Sequence, residues 1–149
     1  MKNKETKLYN ILFPICFIIL IPMSWLVILP GNFIIDSLVL LITMKAIGTI
    51  SKKEMYKKTI LKVWLFGFLS DIIGAAFLFV TIMGFELALP GEDYLYLAIA
   101  ILISAVFIFI FNYKISFKGY DRGTRLKMAL SFAIFTAPYT FLIPLNWIY

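Results

Sequence analysis

The chain has 149 residues, 62% hydrophobic and 15% charged, with fourteen Lys and Arg against eight Asp and Glu for a net charge of +6. Soluble domains carry about 25% charged residues, and one this apolar would lack the polar surface to cover itself. Histidine is absent and cysteine occurs once, which excludes Ser-His and Cys-His nucleophiles, a disulfide framework and a thiolate metal site.

The basic residues fall into three groups: Lys2, Lys4 and Lys7; six lysines from Lys45 to Lys62; and Lys114, Lys118, Arg122, Arg125 and Lys127. Long apolar runs separate them. Basic loops on one side of a set of apolar spans are the mark of a polytopic protein obeying the positive-inside rule. The expected fold class is therefore all-α: an integral membrane helical bundle of five transmembrane helices in one domain, 1–149. The N-terminus is inside and the C-terminus outside, in the cytoplasmic membrane of a bacterium. The natural partners of the basic loops are anionic lipid headgroups, at roughly 1 kcal/mol per basic residue. With no basic face or known motif, nucleic acid is not expected.

The first span covers about 8–29. It is too long for the apolar core of a signal peptide and no small-residue cleavage pattern follows it, so it reads as retained. Cys16 lies within it as a small buried hydrophobe. Pro30-Gly31-Asn32 then reads as a turn, and the second span covers about 33–50, interrupted by Lys45. The third covers about 59–85, the fourth 95–111 and the fifth 126–148. The outer loops then hold Glu86, Glu92 and Asp93 and no basic residue. Trp25, Trp64 and Trp147 fall near span ends, where aromatic belts form.

Polar groups in hydrocarbon are costly and call for a reason. Asp71 lies twelve residues beyond Thr59, about 18 Å into the third span, where burial favours its neutral form unless a cation compensates. Side chains lean toward their helix N-terminus, so Lys45 and Asp71 lean toward each other. This predicts either a transport-linked pair, an ion pair that only fixes packing, or a Lys45 that snorkels to the headgroups. Asp36, four residues into the second span, reads as a first-turn carboxylate favoured by the helix dipole, or as part of an outer vestibule attracting cations.

Pro22, Pro138 and Pro144 predict helix kinks that free the carbonyls of Ile18, Ile134 and Thr140. With Ser70 and Thr136 at similar depth, these form a layer of hard oxygen donors suited to a proton or alkali cation. Alternatively, nearby hydroxyls simply satisfy the freed carbonyls. Gly67, Ser70, Asp71 and Gly74 make a narrow face on the third span, and Ala129, Ala133, Ala137 and Thr140 another on the fifth. Such spacing lets helix backbones approach, so these two faces are expected to pack together.

The functional expectation is a small proton- or cation-linked transporter or channel-like subunit. The ion site would hold Asp71, Lys45, Ser70 and Thr136, in a parallel homo-oligomer. The alternative is a non-transporting anchor or assembly subunit that meets a membrane partner through helix contacts. No catalytic set, metal or cofactor is expected, and the chain does not read as an enzyme.

Overall fold

A computed structural model describes residues 22–85 and 93–139. These form four α-helices and no strand: α1 (Pro22–Ile47), α2 (Lys52–Phe85), α3 (Asp93–Phe111) and α4 (Arg122–Phe135). α3 continues as one turn of π-helix, Asn112–Ser116. Three stretches, Leu26–Ile47, Lys52–Thr81 and Leu95–Ser116, are long and apolar enough to cross a membrane. The all-helical membrane architecture is the one expected; the boundaries differ in ways that move the site.

The expected turn at Pro30-Gly31-Asn32 is absent, and α1 runs straight through it. Proline costs a soluble helix one hydrogen bond and a clash. In an apolar setting, unwinding would expose more backbone polar groups than the proline removes, so the helix persists where neighbours help. Here the Trp64 indole of α2 donates to the Leu29 carbonyl at 3.0 Å, and Phe33 packs edge-on against the same ring, centroids 6.0 Å apart. Trp64 thus clamps α1 to α2 and is not a free belt residue. Residues 30–47 and the end of the expected first span belong to one helix; residues before Pro22 lie outside the described part.

α1 ends where its sequence says it should. Gly48 takes φ +76, Thr49 N–H donates to Met44 O at 3.1 Å, and Gly48 N–H donates to Lys45 O at 3.3 Å. This is the paired bonding of a Schellman cap, which needs a residue free of Cβ strain. α2 is 34 residues long, about 51 Å, against a hydrocarbon core of ~30 Å. Its first two turns, carrying Lys52, Lys53, Lys57 and Lys58, extend the helix beyond the apolar stretch.

α4 stops at Phe135 rather than continuing to residue 148. Pro138 disfavours helical backbone at Ala137 and offers no N–H. Thr136 Oγ1 donates to Phe132 O at 2.8 Å, and the Tyr139 hydroxyl donates to Ile134 O at 2.6 Å. Ile134 O is the very carbonyl the proline strands, so a neighbouring hydroxyl takes it and it is not left for an ion. The backbone from 136 to 138 is not helical, and the expected kink at Pro22 falls at the edge of the described residues. Pro144 and Thr140 lie outside the described residues.

At its other end α4 is capped by Asp121, whose carboxylate accepts the Thr124 N–H at 2.9 Å. That bond holds the Asp121 carboxyl below the usual range. A carboxyl lowered on folding stabilises the fold above the ordinary Asp range, and the effect is lost as pH falls through the lowered value. Asp121→Ala is expected to lower the melting temperature measured by circular dichroism at pH 7, and Asp121→Asn to restore most of the loss. The gap between wild type and Ala should shrink in strong acid.

Two apolar clusters fill the bundle. Toward the basic end, Leu40 and Met44 of α1 meet Met55, Ile60 and Val63 of α2, Ile108 of α3 and Met128 and Phe132 of α4. Toward the other end, Ala75 and Leu78 pack on Leu97, Ala100 and Ile101, with Ala137 beside them. The narrow face of α2 packs on α3 and α1, and α4 packs on α1 and α3. The expected seam between the third and fifth spans is therefore replaced. Gly74 meets Ala100 and Ser104 of α3, and Gly67 meets Asp36 of α1. Ala129 is buried and Ala133 partly buried against the first cluster.

Candidate functional site: an acidic layer between two apolar clusters

Because α1 begins at Pro22, Asp36 is not near a helix start. It lies fourteen residues after Pro22 and eleven before Ile47, at least about 16 Å from either end of the described helix. It is 4% exposed, so neither the first-turn role nor the outer vestibule describes it. Its carboxylate faces α2 at Gly67, where an added Cβ would stand 3.5 Å from Asp36 Oδ2. Glycine there lets the carboxylate approach the α2 backbone.

Asp71 lies one turn beyond Gly67 on α2, the glycine that faces the Asp36 carboxylate. The two carboxylates are close enough that the charge of one acts on the other. Asp71 Oδ1 is buried, and among the described residues nothing hydrogen-bonds to it. Ser104 of α3 comes in beside Ser70 and Gly74 of α2. Its hydroxyl donates to Ser70 O at 3.0 Å, while Ser70 Oγ donates to Phe66 O at 2.7 Å. Asp36, Ser70, Asp71 and Ser104 therefore form one polar layer, with the two apolar clusters above and below it. Both serine protons are committed to backbone carbonyls, so neither serine donates to the acids.

Lys45 does not join this layer. α2 starts at Lys52, which carries Asp71 nineteen residues, about 28 Å, from the loop. Lys45 sits in the last turn of α1, exposed, about 14 Å beyond Asp36 along the axis. A lysine stem does not close that distance, and no ion pair forms between Lys45 and Asp71. A cation at a helix C-terminus is favoured by the dipole, which accounts for Lys45 where it stands. Thr136 caps α4 next to Ala137 of the second cluster and bonds its own helix. Of the four residues expected at the ion site, the structure keeps Asp71 and Ser70 together and adds Asp36 and Ser104.

The acidic layer holds two carboxylates and no histidine or cysteine, and among the described residues no group of three or more His, Cys, Asp or Glu is placed to hold a metal ion. What it can do is bind something that neutralises buried negative charge: a proton, or a small cation coordinated by carboxylate and carbonyl oxygens. No protein family, curated protein or solved structure matches this chain.

Proposed function

We propose that the protein is a small transport protein, or a channel-like subunit, that moves a proton or small cation through the Asp36–Asp71 pair. The observation that carries this reading is the pair itself: two carboxylates on facing helices, between the two apolar clusters, with no basic partner among the described residues. An ionised carboxylate there is expensive, and two of them repel. A proton or cation that enters removes the repulsion and leaves at most one negative charge in the layer, which lowers both costs. Loading and unloading between two sides would be transport.

In this reading the basic end faces the cytoplasm of a bacterial cell, following the positive-inside rule. A parallel homo-oligomer supplies the pathway that one narrow bundle lacks.

The test is proton and alkali-cation flux into liposomes holding the purified protein. Wild type should show flux, and Asp71→Asn and Asp36→Asn should each reduce it by about a hundredfold or more, the scale on which loss of a proton-transferring side chain slows a reaction. A folded wild-type protein with no flux of any tested ion would overturn the reading. It would leave the chain as a membrane anchor or assembly subunit.

A further inference from the structure

At the basic end, α2, the π-helical turn and the turn that follows it enclose a cleft of about 540 Å³. Lys58 and Lys62 line it from α2, and Lys114, Ser116, Lys118 and Tyr120 from the opposite wall. The four lysines come from two segments far apart in sequence, yet all open into one concavity. Four like charges held together repel, and folds bring them together at sites where an anion offsets that repulsion.

Of the surrounding charged groups, Arg125 and Asp121 are occupied elsewhere, while Glu54 lies near the cleft's Tyr120. Arg125 donates through Nε and Nη2 to Tyr113 O at 3.2 and 2.8 Å, and its guanidinium lies 4.4 Å from the Tyr113 ring centre. Asp121 caps α4. Glu54 acts on Tyr120, but burial is the larger reason that the Tyr120 phenol is pushed up, which keeps it a hydroxyl donor at neutral pH.

A second, independent observation comes from the wall of the cleft. Ser116 is 4% exposed, and its Oγ has no hydrogen-bond partner among the described residues. One turn earlier, Asn112 is fully buried with both side-chain polar atoms unpartnered. The π-turn is what places them so: Phe117 N–H reaches back five residues to Asn112 O at 2.9 Å, widening the helix at the cleft. Single π-turns inside α-helices occur disproportionately at functional sites. Buried polar atoms without partners carry a cost that a ligand can relieve.

We infer that this cleft binds a phosphate group carrying two negative charges, with the four lysines as its cationic wall and Ser116 and Tyr120 as hydroxyl donors. Ser116 is the last residue of the apolar stretch Leu95–Ser116, so the cleft lies where a lipid headgroup would present such a phosphate. A free phosphate reaching the same end from water has the same chemistry. The inference is independent of the acidic layer, and its test reads binding, not flux.

The experiment is calorimetric titration of the full chain in a zwitterionic detergent, at one fixed salt concentration. The probes are inorganic phosphate, short-chain phosphatidic acid and short-chain phosphatidylcholine. The expected result is saturable binding of phosphatidic acid well above phosphatidylcholine. Binding of inorganic phosphate as well identifies a soluble ligand, and its absence identifies a headgroup site. Lys58→Gln with Lys62→Gln, and separately Lys114→Gln with Lys118→Gln, should each weaken binding by about thirtyfold, the product of two basic contacts. Lys52→Gln with Lys53→Gln removes the same charge at the same end but outside the cleft, and should change affinity by less than about threefold. Ser116→Ala should weaken binding while holding or raising the melting temperature of the unliganded protein, because the unpartnered hydroxyl is removed. Equal losses from cleft and control pairs would show diffuse surface charge and overturn the inference, as would the absence of preference for either phosphate probe.

Discussion

Asp36→Leu with Asp71→Leu is expected to yield a protein that melts at a higher temperature than wild type and carries no ion flux. Leucine branches at the same carbon as aspartate but is bulkier, so the change removes charge at the cost of some overpacking. A buried polar group without a partner costs about 1–3 kcal/mol, and replacing buried ionic groups by well-packed apolar ones is often stabilising by a similar amount. In the hydrocarbon core the preference for Leu over Asp is larger still, at about 3–4 kcal/mol per site on the insertion scale. Thermal melts by circular dichroism in detergent, read beside liposome flux, check both halves of the expectation.

The two single changes sharpen it. Each already removes the repulsion between facing carboxylates, so their separate gains should sum to more than the gain of the double variant. Residues in contact depart from additivity in this way by about 0.5–3 kcal/mol. If the acids instead organised helix packing, the double variant would melt lower or lose its oligomeric state. A gain in stability with a loss of activity is the pattern of groups retained for function at a cost to the fold.

How much of this was legible in the sequence depended on whether the deciding interaction was local. The Schellman cap at Gly48 and the stop before Pro138 are set by single residues and near neighbours, although the expected spans ran on to 50 and 148, and the basic end follows from counting lysines. The course of α1 does not. Pro30-Gly31-Asn32 is a turn by local rules and is helix in the structure, where Trp64, thirty-four residues after Pro30, bonds the adjacent Leu29 carbonyl. Moving that boundary changes the depth of Asp36 from helix edge to helix middle, and with it the identity of the partner of Asp71. The expected Lys45–Asp71 pair failed for a related reason: α2 starts at Lys52, well before the point where the sequence turns apolar. The available signal was the position of Asp36 within an apolar run extending from Met23 to Met44 once the proline is allowed inside it. The π-turn at Asn112 had no comparable signal, because its widened backbone is set by packing on α4 and by the Arg125 bonds to Tyr113.

Gly74→Val should be the most damaging single change in the bundle. A Cβ at this position would collide with Ser104 Oγ and stand 3.0 Å from the Ala100 carbonyl. The hydroxyl could swing aside only by giving up its bond to Ser70 O in the buried layer, and the carbonyl belongs to the α3 backbone, which moves only if the helix does. Even Gly74→Ala sets about 1–3 kcal/mol of overpacking and a lost hydrogen bond near 1 kcal/mol against a helix-propensity gain near 1 kcal/mol. Valine forfeits most of that gain through its β-branch and adds two methyl groups to the clash, so the α2–α3 contact should open and the folded yield should collapse. Gly31 provides the contrast, since a Cβ there meets nothing within 4 Å; Gly31→Ala should melt at or above the wild-type temperature. Ser104→Ala in the Gly74→Ala background should recover part of the loss, because it clears the hydroxyl and leaves the Ala100 carbonyl in place. Full recovery would mean that the serine alone sets the spacing. No recovery would mean that the backbone carbonyl does, and that α2 and α3 are held at a distance only glycine permits.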